Sequence, residues 1–171
     1  MPTIVTHAIV PLTIASAAGR DRINPPIAMA GALLAMLPDA DVLGFRFGIA
    51  YADNWGHRGA THSLAIALLL AGLTAALVPA SRSRIALAFL FFAAASHGLL
   101  DMLTDGGLGV ALFWPIETAR HFFDWTPIRV SPIGAGFFSS RGLETALSEL
   151  LWVWLPCAAL FAAARMVRAR A

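Results

Sequence analysis

Apolar residues fall in five blocks along the chain, near residues 3–19, 25–38, 62–80, 84–104 and 143–165, with polar residues gathered between them. Their length and punctuation predict five helices. A helix of about 20 residues crosses a ~30 Å hydrocarbon core, so the third, fourth and fifth blocks are predicted spans and the first two are shorter segments. The second opens on Asn24-Pro25-Pro26, which suits a helix start. It is expected to stop at Pro38, where the ring breaks the ladder of backbone hydrogen bonds. The "SRSR" connection at 81–84 is short enough to make the third and fourth helices an antiparallel hairpin. Residues 105–142 form a long connection rich in Gly, Pro and aromatics. It reads as a lid or substrate loop, with Trp114, Phe122, Phe123 and Trp125 at the membrane interface.

Composition places this pattern in a bilayer. The chain is 58% hydrophobic and 13% charged, and its mean hydropathy of +0.73 lies outside the range of soluble domains. A net charge of +2 carried by scattered arginines excludes nucleic-acid binding through a basic patch. Cys157 is alone, which excludes an intrachain disulfide and a thiolate zinc site, so any metal must be held by His and carboxylate. The stretch "MPTIVTHAIVPLTIASAAGRDR" lacks the basic leader of a cleaved signal peptide, and the first helix is expected to stay attached. The predicted architecture is an all-α transmembrane bundle of about five helices, a single membrane-embedded domain over 1–171 with a metal site at one end.

If the five helices alternate in direction, Arg20/Arg22, Arg82/Arg84 and Arg165/Arg168/Arg170 share one side, which the positive-inside rule makes cytoplasmic. His7, Asp39, Asp41, His57, His62, His97 and Asp101 then gather at the opposite, non-cytoplasmic end. Within "SHGLLDMLT", His97 and Asp101 are four residues apart on one helix face, where two donors can share an ion. In "LPDAD", Asp39 and Asp41 would point the same way in extended backbone. "HRGATHS" brings His57, Arg58, Thr61 and His62 to the mouth of the third helix. The free N–H groups there favour an anion such as a phosphate, and Arg58 can bind the same anion or snorkel to headgroups.

Each motif alone has a plain structural reading: a buried His–Asp hydrogen bond, a solvated turn, a polar cap. Ionisable residues inside hydrocarbon cost roughly 2.5–3.5 kcal/mol even on lenient scales, which weighs against idle ones. Imidazole and carboxylate without sulfur suit a divalent metal, with zinc the leading candidate and Mn or Fe as alternatives. Such an ion acidifies water and clamps a phosphoryl group. Asp41 or His57 is then the candidate general base or orienting group, and Arg58 the candidate for binding the substrate anion. There is no G-x-S-x-G elbow, P-loop or G-x-G-x-x-G fingerprint.

In order, His7, "LLAMLPDAD", "HRGATHS", "SHGLLDMLTDGG" and "FWPI" resemble the motifs of the LexA-regulated, membrane-bound metal-dependent hydrolase family of prokaryotes, over roughly residues 1–165. The resemblance implies a multi-pass protein of the prokaryotic inner membrane with hydrolase activity. More distantly, the order is similar to the helical zinc sites of bacterial phospholipase C and P1-type nucleases, which implies His7, Asp39, His62, His97 and Asp101 as ligands. The later His and His-x3-Glu ligands of those enzymes have no counterpart, since only His121 follows Asp101, and one or two ions are expected. The function expected is metal-dependent hydrolysis of a phosphoester or lipid-linked substrate by metal-activated water. The competing expectation is a non-enzymatic membrane protein, either a metal or ion transporter or a scaffold whose His and Asp are structural.

Overall fold

The computed structural model describes residues 1–78, 83–132 and 134–170; Arg82, and with it half of the SRSR connection, lies outside the described residues. Five helices are present among them. α1 runs Ile4–Ala18 and α2 runs Pro25–Met36. α3 runs Leu64–Leu77 and α4 runs Arg84–Met102. α5 is one continuous helix, Ser140–Arg170, with a π-helical segment at Leu150–Trp154.

The helix starts follow from capping. The Asn24 side chain accepts the Ile27 N–H at 3.1 Å, the Ser63 hydroxyl accepts that of Ile66 at 3.2 Å, and the Ser83 hydroxyl that of Ala86 at 3.0 Å. Pro25 and Pro26 occupy the first turn of α2, where no backbone donor is needed. α1, α2 and α4 pack on one another, α3 lies against α4, and α5 runs along α1. Their common core is built from small side chains, including Ala15, Ala67, Ala71, Ala86 and Ala94, around Leu90 and Phe89. Small residues let apolar helices approach closely where lipid offers no hydrophobic drive for association. Large apolar side chains on α5, such as Leu143, Leu147, Leu151 and Leu155, stay exposed, as a lipid-facing helix requires.

One expectation about the helices is refined and one corrected. The α-helix of the second segment ends at Met36, just before Pro38 as expected, but the chain runs on: Pro38 enters at the start of a 3₁₀-helix, Leu37–Phe47, where a missing N–H costs nothing. The combined stretch Pro25–Phe47 is therefore long and apolar enough to cross a membrane, together with Arg84–Met102 and Ser140–Arg170, while Leu64–Leu77 is a shorter apolar helix. The second segment thus takes the place expected of the third.

The long connection is folded rather than extended. Val110 pairs with His121 and Thr104 with Ile128 in isolated β-bridges, and Val110, Ala111, Leu112 and Ile128 are buried. Arg120 joins it to the 50–59 loop, donating to the carbonyls of Tyr51, Asp53 and His57 at 2.9–3.0 Å. Trp125 lies edge-on to Trp152 of α5, and Trp114 to Trp55. Phe122 and Phe123 are exposed.

Candidate metal centre

Four elements end at one place. The start of α1 delivers His7, the 3₁₀ continuation of α2 delivers Asp39 and Asp41, the turn before α3 delivers His57, Arg58 and His62, and the end of α4 delivers His97 and Asp101. All are buried except Asp41, which is intermediate. The turn lies hard against α4 because residue 98 is glycine: a Cβ there would fall 2.6 Å from the His62 carbonyl oxygen.

One ligand atom from each of Asp39, His62, His97 and Asp101 falls within a single group whose members lie within 4.8 Å of one another. His62 Nε2 and His97 Nε2 are 2.9 Å apart. Asp39 Oδ1 is 3.4 Å from His97 Nε2 and 3.8 Å from His62 Nε2, and Asp101 Oδ2 is 3.5 Å from His62 Nε2. Ligands held about 2.1 Å from a tetrahedral ion stand about 3.4 Å apart, so these separations suit one. Hydrogen bonding fixes which nitrogens face inward. His97 Nδ1 lies 2.7 Å from the Ala35 carbonyl, which can only accept, so Nδ1 carries the proton and Nε2 offers its lone pair. His62 Nδ1 turns toward Asp41 Oδ2, at 3.3 Å, leaving its Nε2 toward the group.

The buried polar atoms give an independent test of fit. Both oxygens of Asp39, both oxygens of Asp101, both nitrogens of His7 and Nε of Arg58 lack a well-aligned hydrogen bond, although Arg58 Nε and Asp101 Oδ2 face each other as an ion pair. Buried polar atoms are nearly always paired, and the carboxylate oxygens of Asp39 and Asp101 among these orphans are atoms that a cation would satisfy. Burial alone would lower the pKa of His62, but the carboxylates of Asp101, Asp39 and Asp41 around it outweigh burial and raise it. The site thus carries an excess of negative charge that a cation offsets. His7 stands at its border, stacked on the His97 ring at 3.7 Å with Nε2 3.6 Å from Asp101 Oδ1.

A second group, Asp41, His57 and His62, shares His62 with the first. Asp41 Oδ1 lies 2.7 Å from His57 Nδ1, and its Oδ2 accepts from the Thr61 hydroxyl at 2.7 Å. Asp39 and Asp41 were expected to point the same way, and they do not. In a 3₁₀-helix successive residues turn by about 120°, so positions two apart diverge. Asp39 faces His62 and His97, while Asp41 faces His57 and His62.

Arg58 also departs from expectation. Its side chain is fully buried, with Nε 3.0 Å from Asp101 Oδ2, Nη1 donating to the Gly106 carbonyl at 2.7 Å and Nη2 to Thr104 Oγ1 at 2.9 Å. No donor faces outward to meet a substrate anion or a headgroup. Its backbone is left-handed, φ 64°, the one described non-glycine residue so placed, a strain that tends to persist where the surroundings over-determine it. The expected anion site at the start of α3 is likewise taken up, since Leu64 N–H donates to the Leu112 carbonyl and Ile66 N–H to Ser63. His121 belongs to neither of the two groups and pairs with Glu117 at 2.6 Å.

Sequence reasoning passed over Glu149. It is buried, accepts the Thr3 and Thr6 hydroxyls at 2.7 and 2.6 Å, and so ties the start of α1 to α5 beside His7. It adjoins the π-helical segment, a feature frequent at functional sites that the sequence does not reveal.

The fold and site together define a helical membrane protein with a buried His/Asp cluster able to hold a metal ion. Residues 1–171 match the family described as YdjM inner membrane protein. The chain belongs to that family. It is 44% identical over 161 residues to the inner membrane protein YbcI of Escherichia coli, covering 91% of this chain and 92% of the relative. No solved structure matches.

Proposed function

We propose that the protein is a membrane-bound metal-dependent hydrolase acting on a phosphoester or lipid-linked substrate. The observation that carries the reading is that Asp39, a member of the four-residue cluster, also lines a cavity of about 720 Å³ whose other walls include Val5, Phe137, Leu150 and Trp154. A buried polar cluster at the edge of an apolar cavity of this size suits a substrate with a polar head and an apolar tail. Phe138, next to the cavity wall, is 91% exposed, which suits contact with lipid at its mouth.

Asp39, His62, His97 and Asp101 would hold one divalent ion, zinc by donor type with Mn or Fe as alternatives; Asp41, His57 and His62, which share His62 with that group, form the alternative seat. Such an ion supplies Lewis acidity and a more acidic water. Asp41 fixes the ring of His57 and faces His62, so the Asp41–His57 pair is placed to accept a proton at His57 Nε2. Arg58 braces Asp101 against both cluster and loop rather than binding substrate. Arg20, Arg165 and Arg168 gather at the end opposite the cluster, which supports a non-cytoplasmic site by the positive-inside rule.

The test is a panel of phospholipids, polyprenyl phosphates and simple phosphodiesters, offered to metal-loaded and chelator-stripped protein with Asp101→Asn alongside. Turnover that needs metal and vanishes in the variant is expected. Metal flux in proteoliposomes with no hydrolysis anywhere in the panel would favour a transporter instead.

A further inference from the structure

At the end of the bundle opposite the cluster, α1, the turn after it and the last turns of α5 enclose a pocket of about 420 Å³. Arg20, Arg165 and Arg168 line it, with Leu12, Ile23 and Phe161 among its apolar walls. Arg168 is held in place: its Nη2 donates to the Ser16 carbonyl and its Nε to that of Ala164. That reach depends on Gly19, which has φ +90° and where a Cβ would lie 2.8 Å from Arg168 Nη1. Arg20 and Arg165 make no hydrogen bond or ion pair among the described residues, and neither does Asp21, the carboxylate of the same turn. Three guanidinium groups therefore share one pocket with no carboxylate paired to them among the described residues.

We propose that this pocket binds the phosphate of an anionic phospholipid, with Arg168 as a fixed contact and Arg20 and Arg165 as the free ones. Guanidinium groups match phosphate oxygens in fork geometry. Basic pockets between membrane helices are the setting in which anionic headgroups are recognised. The charged rim continues directly into apolar walls, so the ligand that fits carries hydrocarbon next to its phosphate, which free phosphate does not.

The experiment counts lipids retained by the full chain on release from phosphatidylcholine bilayers doped with phosphatidylglycerol or cardiolipin, by native mass spectrometry, with a parallel arm in millimolar inorganic phosphate. A guanidinium–phosphate hydrogen bond inside the pocket contributes about tenfold. The Arg20→Gln/Arg165→Gln pair is therefore expected to lower anionic-lipid retention about 100-fold, while phosphatidylcholine is unaffected. Neither side chain has a protein partner, and unchanged thermal unfolding is expected to show that the fold survives. Arg22→Gln/Arg170→Gln removes the same charge from the same end outside the pocket and is expected to lose at most the diffuse attraction, up to about fivefold per charge. Equal losses in both pairs would mean diffuse attraction and overturn the pocket. Displacement of the lipid by inorganic phosphate would overturn the lipid as its ligand.

Discussion

Replacing Arg58 with Met keeps the length of the side chain and removes its charge and all its donors. Asp101 is then left as a fully buried carboxylate without its 3.0 Å guanidinium partner, and the Gly106 carbonyl and Thr104 hydroxyl lose theirs. Breaking a buried ion pair from one side costs about 3–5 kcal/mol. For a chain of this length each kcal/mol moves the midpoint by about 2–4 °C, so a fall of about 6–20 °C is expected. The variant is to be followed by thermal unfolding in detergent, with and without chelator. The drop should be larger in stripped protein, because a bound cation takes over part of the guanidinium's work on Asp101. A shift below about 1 kcal/mol in stripped protein would refute the bracing role and return Arg58 to the anion-binding role suggested by its place in "HRGATHS".

Gly98→Ala places a Cβ 2.6 Å from the His62 carbonyl, backbone that cannot swing aside; a loss of about 1–3 kcal/mol is expected on unfolding, with weakened metal retention. Near-normal stability and metal content would show that the turn can retreat. The Asp105 pKa is lowered: burial raises it, but the hydrogen bonds from Arg129, at 2.6 Å, and from Val130 N–H outweigh burial. A carboxylate depressed on folding stabilises above its ordinary pKa, and that contribution is lost as pH falls through its folded value. Hydrogen exchange over 128–131 should therefore quicken as pH drops below about 4, after correction for the intrinsic rate, and Asp105→Asn should abolish that change.

The helical cross-section of the site was legible because helices have a fixed period. His97 and Asp101, four apart, do reach one cluster, and the alternation of helices brings His7, Asp39 and His62 to the same end. What failed depended on irregular backbone. Asp39 and Asp41 diverge because the chain after Met36 tightens into 3₁₀ geometry instead of extending, and the same change lengthened the second apolar segment into a membrane-length one. Arg58 reads as a free cation at a helix mouth, yet a left-handed residue turns it inward to Asp101 and to a loop nearly fifty residues away. Glu149 lacks any sequence partner, since Thr3 and Thr6 are more than 140 residues distant. The carbonyl that orients His97 belongs to Ala35, an unremarkable position in any apolar run.

The central claim is that Asp39, His62, His97 and Asp101 hold a metal ion together. Its most direct measurement is the metal content of purified protein by inductively coupled plasma mass spectrometry, for the wild type, Asp101→Asn, His97→Ala and the control His121→Ala. The account predicts one ion per chain in the wild type and in His121→Ala, with the ion lost from Asp101→Asn and His97→Ala while both still insert in the membrane. Wild-type metal content retained in Asp101→Asn and His97→Ala, or protein that binds no divalent metal at any supply, would contradict it.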